Sequence, residues 1–258
     1  MSIYYQDDLV TLYHGDCLEV MPTFPPNSTD LILADLPYGT TRNAWDAVID
    51  LPAMWECCGS VAKAAAPIVL TAQTPFDKVL GASNLGQLRY EWIWEKTSAT
   101  GHLNAKRAPM KAHENILVFY KNAPTYNPQM TSGHVRKVSS AESKRNSTNS
   151  SNYNAHRSGQ PSYDSTDRYP RSVLEFATDK QKEALHPTQK PLSLMAYLIR
   201  TYTNAGDMVL DNCAGSGSTL IAARRQGRKA IGIEMDERYC EVIATRCSAE
   251  GFDMEWTA

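Results

Sequence analysis

The sequence predicts an α/β fold: a mostly parallel sheet with helices on both faces. Three observations carry that reading. Leu31-Ile32-Leu33-Ala34 is a short apolar run that ends at Asp35 and turns at once through Pro37 and Gly39. Met208-Val209-Leu210-Asp211 repeats the pattern and passes through Gly215 and Gly217 into the helical run Leu220-Ile221-Ala222-Ala223. Around these two, other strand-like runs alternate with helical spacings, seven strand candidates in all, as happens when crossover helices link parallel strands.

Leu9 to Tyr13 is the first strand and runs into His14-Gly15-Asp16-Cys17, after which a short helical pattern through Leu18, Val20 and Met21 stops at Pro22. Leu31 to Ala34 is apolar throughout, as a parallel strand buried on both faces must be. Asp35 then falls at the edge where open α/β sheets hold their ligands. Residues 40–50 form an irregular loop around Trp45. Leu51 to Ala66 is a helix: Met54, Trp55, Cys58, Val61 and Ala62 recur at spacings of three or four, and Pro52 sits early, where its missing N–H is harmless.

Pro67 to Leu70 is a strand, and Pro75 to Leu80 a second short helix. Tyr90 to Lys96, alternating and aromatic, and Ile116 to Tyr120 are strands. From Asn122 to Arg171 periodicity vanishes into Ser, Thr, Asn, Pro and basic residues, too polar to bury a core of its own; this is expected to be an irregular insert that orders on its partner. Periodicity returns at Pro191 to Tyr202, where Leu192, Met195, Leu198 and Ile199 mark one helix face. The glycine turn, a strand from Lys229 to Glu234 and a helix from Asp236 to Ala249 complete the chain.

With 258 residues the chain suits one large domain with an excursion. Its content of 42% hydrophobic and 21% charged residues is that of a soluble globular protein, and no apolar run approaches the roughly 20 residues that span a bilayer. Asp7 and Asp8 stand where a signal peptide would be basic and then apolar, so a cytoplasmic protein with no membrane partner is expected. Six cysteines without a Cys-x-x-Cys pair or histidine clustering give no metal site. The net charge of −2 conceals an asymmetry: Lys96 to Arg171 holds twelve Lys and Arg against four Asp and Glu, a balance of +8, and the remainder carries −10. One basic segment in an acidic chain fits a single face that meets phosphates, though a solvated basic loop has the same composition.

Asp35, the Leu36 carbonyl and the Tyr38 ring would lie close together after the turn, a set that suits a flat ring with an amino group; capping of a following helix by Asp35 is the plainer alternative. Gly215 and Gly217 allow a tight turn and close approach to a ligand. Gly217-Ser218-Thr219 lacks the lysine of a phosphate loop, and a dinucleotide fingerprint would need a third glycine. Glu234 closes the strand after the glycine turn, where an acid accepts ribose hydroxyls, and Asp211 beside the turn favours a cationic amine or sulfonium. A nucleoside with a positive sulfonium and an amino acid tail, S-adenosylmethionine, meets all three demands.

Asp35-Leu36-Pro37-Tyr38, His186-Pro187-Thr188-Gln189-Lys190-Pro191, the Asp211 to Thr219 turn and Glu234 together resemble the amino-methylating DNA methyltransferases, in the permuted order with the catalytic motif first and the cofactor motif last. The resemblance spans most of Leu9 to Cys247. It implies a Rossmann-like methyltransferase fold with a seven-stranded, mostly parallel sheet. Residues 1–121 would be the catalytic half, 122–171 the target-recognition insert and 172–258 the cofactor-binding half.

The resemblance also implies roles. Asp35 and the Leu36 carbonyl, with Pro37 shaping the turn, would accept from the amine of a flipped base, and Tyr38 would stack on it. Asp211, Ala214, Gly215, Ser216, Gly217 and Thr219 would hold the methionine part of S-adenosylmethionine beside Asp35. Glu234 and Met235 would take its ribose, Asp16 and Cys17 its adenine, and Thr188 and Lys190 its carboxylate. The family pattern is Asp-Pro-Pro-Tyr; Leu36 in place of the first proline keeps the carbonyl and loses some rigidity.

The implied activity is site-specific methylation of adenine N6 in double-stranded DNA, as part of a restriction-modification pair or alone, with Lys106, Arg107, Arg136, Lys137, Lys144, Arg145 and Arg157 as the DNA contacts. The acid at position 35 favours adenine, because resembling enzymes that modify the cytosine amine more often have serine there. Cytosine N4, RNA or a protein amide as acceptor, a homodimer, and a binding module with a decayed site stay open. Carbon methylation of cytosine is set aside, since no cysteine follows a proline.

Overall fold

The computed structural model describes residues 2–39, 47–140, 162–178 and 189–250. Trp45, Lys144, Arg145, Arg157 and Thr188, singled out above, lie outside the described residues. The chain divides into two compact units, residues 1–127 with 172–258, and residues 128–171.

The larger unit begins with β1 (Ser2–Gln6), β2 (Val10–His14), the short α1 (Cys17–Val20), β3 (Leu31–Asp35) and α2 (Leu51–Val61). It continues with β4 (Ile68–Ala72), α3 (Phe76–Ser83), β5 (Leu88–Thr100) and β6 (Lys111–Phe119). The smaller unit contributes β7 (Lys137–Ser139) and β8 (Tyr163–Ser165), and the chain then returns to the larger one as β9 (Val173–Phe176), α4 (Leu192–Tyr202), β10 (Met208–Asp211), α5 (Ser218–Arg225), β11 (Lys229–Glu234) and α6 (Glu237–Glu250).

Among the described residues nine strands form one sheet in the order β1-β2-β11-β10-β3-β4-β6-β5-β9. The five from β2 to β4 are mutually parallel, β6 is antiparallel to β4 and β5, and β5 and β9 are parallel. The seven expected strands are the central seven. The sheet is wider than expected by β1, antiparallel to β2, and β9. Both additions are edge strands exposed at half or more of their positions, so they lack the apolar run that marks a buried strand.

Period-two alternation divides the core. Leu31 and Leu33 of β3, Val69 of β4 and Ile116 and Val118 of β6 meet Leu194, Leu198, Leu220 and Ile243 on the face covered by α4, α5 and α6. Ile32, Ala34, Leu70, Leu117 and Phe119 meet Val20, Met54, Cys58 and Leu80 of α1, α2 and α3 on the other. The helix ends follow the local chemistry: Asp16 caps α1 by accepting from Leu18 N at 2.9 Å, and Asp50 caps α2 by accepting from Ala53 N at 3.1 Å.

In its described residues the smaller unit has more regular structure than the irregular insert expected. Its β7 and β8 pair antiparallel, Thr131 and Arg168 form a further bridge, and Asp164 receives both arms of Arg136, Nε at 2.7 Å and Nη2 at 2.6 Å. Arg168 donates to the carbonyls of Ser165 and Asp167 at 3.1 and 2.7 Å. Among its described residues hydrogen bonds stand in place of buried apolar side chains, which is why hydrophobic periodicity gave no sign of the ribbon. It also starts later than expected: Asn127 belongs to the larger unit, where its side chain donates to the carbonyls of Arg200 and Thr203.

Candidate active site

The strand register places the acids predicted from sequence along one edge of the sheet. Asp35 stands opposite Thr71, Asp211 opposite Gly232 two residues before Glu234, and Glu234 opposite His14. β10 lies between β11 and β3, so Asp211 sits between the other two acids. Burial pushes the Asp211 carboxyl up to about 7, and the charges of Asp35 and Glu234 add to the effect. The charges of Asp35 and Glu234 thus reach Asp211 at the carboxyl ends of parallel strands, where this fold class binds ligands.

Asp35 is firmly held. Its Oδ1 accepts from the Tyr38 hydroxyl at 2.6 Å and from the Thr71 hydroxyl, and its Oδ2 accepts from Lys190 Nζ at 2.7 Å. The Tyr38 ring stacks on Phe76 at 5.5 Å between centroids. Burial and the Asp35 charge hold its phenol well above its ordinary range, so it stays a donor. Leu36 is buried with Ile32 and Ala34, an apolar anchor that stands in for the missing proline, and Pro37 is half-buried.

Behind Asp35 lies a chain of charge. Lys190 and Glu114 have side chains only 7% and 9% exposed against 28% for Asp35, so the aspartate is open to solvent and the pair behind it is not. Burial alone would neutralise Lys190; Asp35, Tyr38 and Glu114 outweigh it and hold the ammonium charged. Burial likewise works against the Glu114 carboxylate, and Lys190 and Lys96 reverse the effect and lower it. Lys190 is thus placed against Asp35 and Glu114, where the family resemblance had it meeting a cofactor carboxylate.

The glycine turn leads into α5. Gly215 and Gly217 have φ of +54° and +79°, the left-handed region where a side chain is strained. Gly215 N donates to Glu234 Oε2 and Asp236 N to Glu234 Oε1, both at 2.8 Å, so the acid braces the turn as well as facing the edge. Asp211 Oδ1 accepts from Cys213 N at 3.1 Å. Ala214, Ser216 and Thr219 are buried in the turn, Met235 is 63% exposed beyond it, Asp16 is exposed at the α1 cap and Cys17 is buried beneath. Asn212 Oδ1 and Ser218 Oγ are buried here without a hydrogen-bond partner.

The DNA contacts expected from sequence fall in both units. Lys106 and Arg107 are exposed in the β5–β6 turn of the larger unit, not in the insert, while Arg136 and Lys137 lie on the ribbon of the smaller one. Thr71, Glu114 and Lys96 join the site without having been singled out from sequence. Among the described residues no group of His, Cys, Asp or Glu could hold a metal ion, and no helix is long and apolar enough to cross a membrane.

Residues 29–245 match a family model described as DNA methylase. The chain belongs to the N6/N4 DNA methylase family. Relatives of this methylase include the DNA adenine methyltransferase YhdJ of Escherichia coli, 30% identical over 95% of this chain and 87% of the relative. The Type II methyltransferase M.HinfI of Haemophilus influenzae is 27% identical over 93% and 68%. Among solved structures, the M1.HpyAVI–SAM complex is similar with a TM-score of 0.65 at 21% identity, covering 93% of the methylase and 99% of that chain. The PvuII DNA methyltransferase (cytosine-N4-specific) has a TM-score of 0.69 at 16% identity, covering 99% and 90%. At these identities the likeness of structures is one of fold.

Proposed function

We propose that the protein is a site-specific DNA adenine-N6 methyltransferase that uses S-adenosylmethionine. The observation that carries the reading is Asp35, anchored by Tyr38 and Thr71 at the sheet edge, at the end of the strand that pairs in parallel with the one Asp211 closes. The acid at position 35 and the 30% identity to an adenine methyltransferase favour adenine over cytosine.

The turn fits the cofactor. Asn212 Oδ1 and Ser218 Oγ offer unused polar atoms to its amino acid tail, and a Cβ added at Gly215 would meet nothing nearer than the Cys213 carbonyl at 4.0 Å, so the backbone there is open to a ligand. Asp211 would face the cationic amine, Glu234 the ribose hydroxyls, and Asp16 with Cys17 the adenine. When bound, S-adenosylmethionine supplies a methyl group bonded to a positive sulfur, ready for in-line displacement.

This chain's residues prepare the nucleophile. The lone pair of an exocyclic amine is delocalised into its ring; Asp35 accepting one N–H and the Leu36 carbonyl the other favour the pyramidal amine whose lone pair can attack. Tyr38, already stacked on Phe76, extends an aromatic surface for the flipped base. The alkylated nitrogen carries a positive charge, which Asp35 stabilises until the extra proton leaves to water.

Duplex DNA incubated with protein and cofactor, digested to nucleosides and analysed by mass spectrometry, should yield N6-methyladenosine as its deoxynucleoside, and Asp35→Ala should abolish it. Methylcytosine alone would move the assignment to N4, and transfer only to RNA or protein would remove DNA as substrate.

A further inference from the structure

The charge chain behind Asp35 contains an acceptor that the resting site leaves unused. Glu114 Oε1 accepts from Lys96 Nζ at 2.5 Å, and Lys96 lies over the Trp94 ring at 5.0 Å. Glu114 Oε2 is buried and makes no hydrogen bond, yet Lys190 Nζ is 3.2 Å from it in an ionic contact. The same ammonium donates to Asp35 Oδ2 at 2.7 Å. Lys190 therefore faces two carboxylates, hydrogen-bonded to one and in ionic contact alone with the other.

Asp35 has the opposite problem. A carboxylate oxygen offers two acceptor positions, and both of those on Oδ1 are taken by Tyr38 and Thr71. An arriving amine must use Oδ2, where Lys190 holds one of the two positions. An ammonium fixed there would weaken the acceptor and repel the cationic product. Lys190 and Glu114 are too buried to touch the substrate, so whatever they do passes through Asp35.

We infer that Glu114 and Lys190 are positioning residues for Asp35: Lys190 holds Oδ2 in the resting site and swings its hydrogen bond to Glu114 Oε2 as the target amine arrives. Lys96 keeps Glu114 ionised and fixed for that exchange. The inference rests on the methyltransferase reading and assigns Lys190 to the acceptor side of the reaction rather than to the cofactor carboxylate.

The test is a double-mutant cycle with Glu114→Gln and Lys190→Met, measuring kcat and KM on duplex DNA together with the Kd for S-adenosylmethionine by calorimetry. Gln offers one oxygen to two lysines. Each single variant should lose about tenfold or more in kcat, with KM and Kd within about twofold of the parent, and the double variant should fall no further than Lys190→Met, because the two residues act as a unit. Lys190→Arg should recover part of the loss. If Glu114→Gln does not fold, Glu114→Leu with Lys96→Met keeps the buried charges balanced and takes its place. Additive losses, parental kcat in Glu114→Gln, or a Kd that weakens in step with kcat would overturn the inference. A parent protein that methylates no DNA would instead overturn the underlying reading.

Discussion

Thr71 faces Asp35 residue against residue across the β3–β4 ladder, and its hydroxyl donates to Asp35 Oδ1. Thr71 is 1% exposed, so it touches no substrate and acts only by fixing the carboxylate. Thr71→Val keeps the shape and removes the donor. The expected outcome is a loss of about 1.5–3 kcal/mol in stability from one hydrogen bond to a charged group. A fall of about tenfold in kcat should accompany it, for a carboxylate held by two donors in place of three. Chemical denaturation and steady-state methylation measure the two effects, and an unchanged kcat would show that Tyr38 and Lys190 suffice.

Asp211 makes stability and cofactor binding respond to pH in opposite ways. Its pKa is raised from 3.8 to about 7, so between those values the folded chain keeps a proton that the unfolded chain has released. Stability is therefore lost as pH rises through that window, by an amount on the order of 4 kcal/mol. Asp211→Asn should melt higher than the parent at about pH 8 and close to it at about pH 4. If ionised Asp211 faces the cofactor amine, calorimetry should show parental affinity strengthening between about pH 6 and about pH 8, a dependence the variant lacks.

Glu234 braces the glycine turn with one backbone N–H on each carboxylate oxygen. In Glu234→Gln the amide NH₂ must confront either Gly215 N or Asp236 N, leaving one buried donor unpaired. Cofactor affinity should weaken by about ten- to a hundredfold with little further change in kcat at saturation, since the loss is one of binding. A variant that binds normally would separate the brace from the ribose contact.

Arg136, an expected phosphate contact, is bound to Asp164 in an exposed bidentate pair. Asp164→Ala frees the guanidinium. DNA affinity should rise at low salt, and the slope of log affinity against log salt should steepen by about one phosphate contact. A binding isotherm series in increasing salt decides it; an unchanged slope would place Arg136 off the DNA.

The sequence by itself determined the acid at the end of β3, the glycine turn after β10, Glu234 and the helices between, because each is a local pattern: a buried parallel strand is apolar throughout, a positive φ selects glycine, and a helix face repeats every three or four residues. Strand parity also carried a hint left unread, for Glu114 shares its side of β6 with Ile116 and Val118 and must point at the core. What it points to was decided only in three dimensions. Lys96, Glu114, Lys190 and Asp35 come from separate segments and meet because β6 runs antiparallel to β4, bringing its first residues to the edge where β3 and β4 end. The order and direction of strands set which distant charges become neighbours, and a buried charge keeps its ionisation only through the neighbour it finds.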